Sequence, residues 1–378
     1  MSAVVVFIIF AICLIIAIPI SISLGIVAVL PGAFDASFTA SAGYVIRSMV
    51  GGIDSFPLLA VPMFVLAGIL MAHGKISEKL FDVFVYFLGN KRAGIPCAVI
   101  ITCLFYGAIS GSAPATVAAV GSMTIPLLIE LGYEKDFSTA IVAVAGGLGV
   151  IIPPSIPFIM YAMATGESVS DLFLAGIVPG MMISALLIFY AYYYCRRHGE
   201  DREKIQAKMD QLKTKGFVNI LKESIWALLS PVIVLGCIYS GVASPTEAAV
   251  ISVFYSLFVS LFIYKSIKVK QIWGIMVEAM KTYAPILFIL ATSTAFSRVL
   301  TLMQVPQDVS AWIMTHFSNE IVLLLVINVV LLIVGMVMDT TPAILILSPI
   351  LLPIVEHVGM NPIHFGVMVI VNLSLIHI

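Results

Sequence analysis

The stretch from Gly107 to Ser155 constrains this chain more than any other. It opens on Gly107, Ser110, Gly111, Ser112, Pro114 and Thr116, and it closes on Gly146, Gly147, Gly149, Pro153, Pro154 and Ser155. Both tracts hold helix breakers, and both lie within apolar sequence long enough to reach membrane depth. In hydrocarbon an unwound backbone must satisfy its N–H and C=O groups, so irregular segments persist there only where protein buries them or where they line a cavity or ion site. Two such breaks in one stretch point to machinery.

Composition sets the solvent. Of 378 residues, 61% are hydrophobic and 10% charged, and the mean hydropathy is +1.14. A soluble domain has about 25% charged residues. The chain is therefore expected to be an all-α polytopic membrane protein whose apolar runs span lipid. A net charge of −1 gives no basic excess to attract nucleic acid. Cys13, Cys97, Cys103, Cys195 and Cys237 sit in apolar segments without ligand spacing, as small hydrophobes do. The apolar start has no basic leader region and no small-residue cleavage site, which favours a retained first helix over a signal peptide.

In chain order, residues 4–30 are long enough for one tilted span, stopped at Pro31 and Gly32. A loop to about Gly52 leads to a second span over Leu58 to Met71, and a short apolar piece covers Leu80 to Leu88. Gly94 to Leu131 is too rich in turn residues for one rod and suits a helical hairpin, either re-entrant or fully crossing. Phe137 to Ala164 is a span broken in its middle, and Leu172 to Tyr194 another that ends in interfacial tyrosines. The first membrane half is thus 1–195, with its hairpin near 94–131 and its broken helix at 137–164. A basic linker at 196–223 follows, and the second half covers 224–378 with a hairpin near 320–355. Within that half, spans are expected over Ser224 to Tyr239, Ala248 to Tyr264 and Pro285 to Leu302, with a short apolar piece over Val309 to His316.

The positive-inside rule places Lys91 and Arg92, the Arg196 to Lys222 linker, and Lys265 to Lys270 in the cytoplasm. Even numbers of crossings separate these clusters, so one orientation serves all three.

The second half repeats the pattern of the first. Glu320 to Val355 rises, breaks at Gly335, Asp339, Thr340, Thr341 and Pro342, then descends through Pro349 and Pro353. Pro353 and Gly359 stand six residues apart, as do Pro126 and Gly132. Paired broken segments in corresponding halves are the best sequence pointer to a secondary transporter's binding site. Where a helix stops, its last carbonyls carry a partial negative end and the next helix start presents free N–H groups. Such carbonyls, with the hydroxyls of Ser110, Ser112, Thr340 and Thr341, suit a bare Na⁺, and helix N-termini suit an anionic solute. The same small residues also serve as plain contacts between packed helices. Asp339 is open to two roles, as a cation ligand or proton carrier or as a cap for the helix that follows. Glu247, three residues after Ser244, reads first as a structural cap. The six histidines never fall in ligand spacing and no nucleophile or acid-base constellation is visible, which argues against an enzyme.

Five tracts carry a resemblance over essentially the whole chain: Asp54 to Pro62, Gly107 to Thr116, Gly146 to Ser155, Gly241 to Ala249, and Gly335 to Pro342. Together they resemble the large membrane subunit of tripartite ATP-independent periplasmic (TRAP) transporters, the DctM-like family. The resemblance implies inverted repeats with helical hairpins and discontinuous helices around a midplane cavity, and an elevator-type secondary transporter of the bacterial inner membrane. It further implies Na⁺ as coupling ion with no cofactor, a small four-helix membrane subunit and a periplasmic solute-binding protein as partners, and a small carboxylate as substrate, whether C4-dicarboxylate, sugar acid or similar. A one-component sodium/anion symporter, or a membrane scaffold or channel subunit, are the rival readings. On the family pattern the ion and substrate candidates are Ser110, Gly111, Ser112, Pro114, Thr116, Gly147, Gly149, Pro153, Pro154, Ser155, Gly335, Asp339, Thr340 and Thr341. Sodium is expected near Ser110, Ser112, Gly149, Asp339 and Thr340. Beyond Asn372 the family pattern calls for a second broken helix, whereas Ser374 to Ile378 ends the chain. The second half is therefore expected to be incomplete, as in a truncated gene product.

Overall fold

Lipid offers no partner to backbone N–H and C=O groups, so apolar runs of this length satisfy them within helices. A computed structural model of the chain describes residues 2–35, 37–214, 216–316 and 319–375. Lys215 of the linker and the terminal His377 and Ile378 lie outside them. Among the described residues there is no strand. The order is α1 (Ala3–Ile15), α2 (Ile20–Phe34), α3 (Ala42–Ile53), α4 (Ala60–His73), α5 (Ile76–Leu88), α6 (Gly94–Ser110), α7 (Ala113–Glu130), α8 (Lys135–Gly146), α9 (Leu148–Ile151) and α10 (Ile156–Thr165). It continues with α11 (Val169–His198), α12 (Arg202–Thr214), α13 (Phe217–Tyr239), α14 (Pro245–Phe258), α15 (Val269–Leu302), α16 (Val305–His316), α17 (Glu320–Val337), α18 (Thr340–His357) and α19 (Pro362–Leu375). A 3-10 turn over Phe56–Leu59 leads into α4, and a π turn over Val259–Ile263 prolongs α14. Among the described residues, eight helices are long and apolar enough to cross a membrane, or nine when the pair Lys135–Ile151 and Ile156–Thr165, bent by 41°, counts as one. The protein is a multi-pass membrane protein.

Several boundaries differ from the sequence expectation, each for a local reason. The first apolar run is two helices, because Ala17 takes φ +62° and Pro19 precedes α2, where the pyrrolidine ring excludes the preceding residue from helical geometry. Pro31 does not stop α2, which runs on to Phe34, since a single proline removes only one ladder hydrogen bond. The loop expected before Gly52 contains α3, whose start is capped by the Ser41 hydroxyl accepting from the Tyr44 N–H at 3.3 Å. Helix α15 begins well before Pro285 and runs 34 residues. The polar linker is largely helical: α11 carries Arg196 and Arg197 in its last turn, and α12 follows within a few residues.

The helices pack as two compact units, each with contacts of its own. One comprises residues 1–59, 157–172 and 281–377. In it the Phe10 ring stacks on Phe296 at 6.1 Å, the Tyr161 hydroxyl donates to the Pro362 carbonyl at 2.7 Å, and α17, α18 and α19 pack on one another. The other comprises residues 60–156 and 173–280. There α4 lies along α14, and α6 packs against α5, α7, α8 and α9. The fully buried Tyr106 donates its hydroxyl to the Gly68 carbonyl at 3.0 Å, so α4 and α6 are joined by a satisfied polar contact rather than by apolar packing alone.

The base of the hairpin α6–α7 is clamped by a residue over a hundred positions further along. Glu200 keeps only 2% of its side chain exposed. Its carboxylate accepts from the Ala93 N–H at 3.0 Å, the Tyr133 hydroxyl at 2.7 Å and the Arg202 guanidinium at 2.8 Å. Arg202 in turn donates to the carbonyl of Asn90 at 3.2 Å. A buried carboxylate is tolerated because donors surround it. Burial, then the bond to Glu200, pushes the Tyr133 hydroxyl well above its usual range, so it remains a donor.

Candidate functional site

Helix α6 ends where Gly111 takes φ +61°, a left-handed conformation that a residue without Cβ adopts at little cost. Ser112 is extended and precedes α7, with Pro114 in the first turn, where its missing N–H is no loss. Three groups then close a ring. The Ser110 hydroxyl lies 3.0 Å from the Thr116 hydroxyl. Both hydroxyls reach the Ser112 carbonyl, Thr116 Oγ1 donating at 2.8 Å and Ser110 Oγ at 3.3 Å. The Ser112 N–H reaches back toward Ser110 Oγ at 3.5 Å. Ser110 and Thr116 are buried, and the Ser112 hydroxyl has no hydrogen-bond partner among the described residues.

The broken helix supports this tip from behind. Gly147 joins α8 to the single turn α9, and Ile152 turns extended at φ −79°, ψ 129°. Residues 153–155 are buried, the Pro153–Pro154 peptide bond is cis, and the Ser155 hydroxyl donates to the Val150 carbonyl at 2.6 Å. The Ile156 N–H donates to the Gly111 carbonyl at 3.2 Å, which ties the start of α10 to the tip. Two glycines make the approach possible. A Cβ on Gly149 would stand 2.5 Å from Thr116 Oγ1, and one on Gly107 would stand 2.5 Å from the Cα of Gly149. Ser110, Gly111, Ser112, Thr116, Gly149, Pro154 and Ser155 thus meet in one buried polar knot, with Gly147 and Pro153 shaping the chain around it and Pro114 exposed at its rim.

The second tip is built differently. Helix α17 ends after the buried Gly335, and Met338 and Asp339 are both extended, at φ −125° and φ −62°. Asp339 occupies the N-cap position of α18 without a side-chain capping bond. Its carboxylate is exposed and has no partner among the described residues. Thr340 and Thr341 are buried at 8% exposure each, and Thr340 Oγ1 reaches only the Leu373 carbonyl at 3.5 Å. Close by in sequence to that carbonyl, Asn372 donates to the side-chain oxygen of Asn328 at 2.5 Å, while Asn328 donates to the Leu324 carbonyl at 2.8 Å. This amide pair between α17 and α19 escaped the sequence reading, because its two members are 44 residues apart. Glu247 is the cap its spacing suggests: Ser244 and Glu247 form a reciprocal capping box at the start of α14. Among the described residues, no group of three or more His, Cys, Asp or Glu side chains is placed to hold a metal ion. The oxygens that the two tips offer are hydroxyls, carbonyls and one carboxylate.

Residues 7–378 match the family described as "Tripartite ATP-independent periplasmic transporter, DctM component". The isethionate TRAP transporter permease protein DctMQ of Oleidesulfovibrio alaskensis is 42% identical over 97% of this chain and 56% of its own length. The C4-dicarboxylate TRAP transporter large permease protein DctM of Pseudomonas aeruginosa is 38% identical over 85% of this chain and 74% of its own length. This chain therefore spans between about half and three-quarters of the length of these relatives. Among solved structures, the YdaH transporter of Alcanivorax borkumensis shares the fold, with a TM-score of 0.61 over 93% of this chain and 84% of that one at 15% identity. The fold is a transporter's and not an enzyme's, it fits a bacterial inner membrane, and the chain belongs to the DctM component family of tripartite ATP-independent periplasmic transporters.

Proposed function

We propose that this protein is the large membrane component of a sodium-coupled system for uptake of a small organic acid, working by alternating access with an elevator-like movement. The observation that carries the reading is the first tip. Its ring of hydroxyl and carbonyl oxygens is buried, holds no charged side chain, and sits at a break between helix ends, which is the oxygen-rich, low-charge setting that suits an alkali cation. Na⁺ would be held near Ser110, Ser112 and Gly149 at this tip, and near Asp339 and Thr340 at the other. The substrate class follows from relatives whose names specify isethionate, C4-dicarboxylate and 2,3-diketo-L-gulonate, all small organic anions. A periplasmic binding protein would deliver the solute, and a small four-helix membrane subunit would complete the membrane assembly. The basic clusters at Lys91, Arg196 to Lys222 and Lys265 would face the cytoplasm.

Reconstitution tests this. Uptake of labelled succinate or isethionate into proteoliposomes should require a sodium gradient and the cognate binding protein together. Undiminished uptake without Na⁺, or without a binding protein, would replace the reading with a one-component anion carrier, and saturation-free flux would replace it with a channel.

A further inference from the structure

Tyr106 takes no part in the ring at the first tip, yet it stands one helical turn before it. Positions 106 and 110 are four apart, so Tyr106 and Ser110 share one face of α6, and both are buried. That face meets α4 at Gly68. The Tyr106 hydroxyl donates to the Gly68 carbonyl at 3.0 Å, and a Cβ on Gly68 would stand 3.1 Å from the Cα of Ser110 and 3.2 Å from its Cβ. Gly68 is thus held by the phenol and stopped by Ser110. A tyrosine placed only to fill space would have no need of this bond. Burying a hydroxyl costs free energy unless it finds a partner, and phenylalanine would fill nearly the same volume without that demand.

The ring is walled in by the broken helix as well. A Cβ on Gly149 would stand 3.0 Å from the Ser112 carbonyl oxygen, besides crowding Thr116 Oγ1. Ser110, Ser112 and Thr116 are therefore clasped between two backbones, α4 at Gly68 and the broken helix at Gly149. Neither wall has a side chain there that could swing aside. Helix α4 is itself seated along α14, where Gly74 leaves no space for a Cβ beside Ser260 Oγ. Between such walls the spacing of the ring oxygens follows from backbone packing and not from rotamer choice.

We infer that Tyr106 and Gly68 are positioning residues: their bond seats Ser110 against α4 and so sets the spacing of the Ser110, Ser112 and Thr116 oxygens, and with it which alkali cation the tip accepts. That a cation binds there rests on the uptake reading above. Functional groups must be held within about 0.5 Å of their working geometry by the groups behind them, and loss of an outer-shell partner of a metal ligand costs about 10–100-fold in affinity. Na⁺ and Li⁺ carry the same charge and differ in radius, so a change of spacing shows in the ratio of their affinities. A change of stability alone does not.

The purified full chain in detergent is titrated with NaCl or LiCl, balanced with choline chloride at constant ionic strength, and ion binding is read as the rise in melting temperature. Tyr106→Phe should raise the half-saturating Na⁺ concentration about tenfold and bring the two ions closer together. Gly68→Ala, whose methyl presses on Ser110, should shift the ratio toward the smaller Li⁺, and Tyr106→Phe carries the test if the alanine variant does not fold. Tyr255→Phe is the control, because the Tyr255 hydroxyl donates to the Trp226 carbonyl at 2.6 Å, which ties α14 to α13 and bonds no tip residue. It should lose stability in choline and keep the wild-type ratio of Na⁺ to Li⁺. An unchanged ratio in Tyr106→Phe and in folded Gly68→Ala, or an equal change in Tyr255→Phe, overturns the inference. A wild type that neither ion stabilises overturns it too. Na⁺ that stabilises the chain without driving uptake in proteoliposomes would remove the uptake reading alone. Sodium-driven uptake with a ratio indifferent to both substitutions would remove the positioning role alone.

Discussion

The two hairpin tips solve one physical problem in opposite ways. At the first, Gly111 turns the chain, the Thr116 hydroxyl donates to the Ser112 carbonyl with the Ser110 hydroxyl beside it, and the Ile156 N–H donates to the Gly111 carbonyl, which leaves the Ser112 hydroxyl open. At the second, no left-handed residue makes the turn, the Asp339 carboxylate is exposed, and a 3.5 Å contact from Thr340 is the side-chain bond that reaches a neighbouring helix. A satisfied buried network is rigid and costly to disturb, whereas polar groups left open are free to take a ligand or rearrange. The first tip is thus largely closed on itself, and on the proposed uptake reading the second is the place where binding would change the hydrogen-bonding state.

The contrast breaks most visibly at Gly107. Gly107→Ala forces a methyl against the backbone of Gly149, with no flexible side chain to yield. Overpacking of that kind costs about 1–3 kcal/mol or more, so the variant should show a clear fall in melting temperature in detergent and little sodium-driven uptake. A variant as stable and active as wild type would mean that the first tip is not closed. A smaller effect is expected at the second tip. Asp339→Asn keeps the size of the side chain and removes the charge. A unit-charge interaction at 4 Å is about 4 kcal/mol at an effective dielectric of about 20. A quarter of it, about 1 kcal/mol, raises the half-saturating Na⁺ concentration roughly fivefold. Superimposable sodium curves at matched abundance would remove Asp339 from cation binding. The smallest change belongs to Thr340→Val, whose lost bond is long and poorly set. Stability should shift by less than about 0.5 kcal/mol, with any larger deficit showing up in sodium affinity alone. A drop in melting temperature comparable to that of Gly107→Ala would abolish the asymmetry.

How far the sequence reveals this molecule depends on the range of the interaction concerned. The break at Ser110 to Ala113 and the box at Ser244 and Glu247 are written in neighbouring residues, because turns and caps are local chemistry. Pro31 illustrates the limit of that logic, since a breaker within α2 was overridden by helix on both sides. The 34 residues of α15 were cut short at Pro285 for the same reason. Long-range features left no mark: Glu200 and Ala93, or Asn328 and Asn372, meet only once the helices are packed.

The Glu200 clamp also imposes an order on biosynthesis. The amide of Ala93 and the carboxylate that receives it are 107 residues apart. At about 5–20 residues per second, a ribosome needs roughly 5–20 s to cover that interval. For those seconds the first hairpin is inserted without its fastening, held at the base by nothing from its own sequence that replaces a buried carboxylate. Maturation of the hairpin is thereby tied to emergence of the linker. Nascent chains arrested before Glu200 should exchange the Ala93 amide hydrogen freely, and chains arrested well after α12 should protect it. Equal protection in both would show that the hairpin fastens itself.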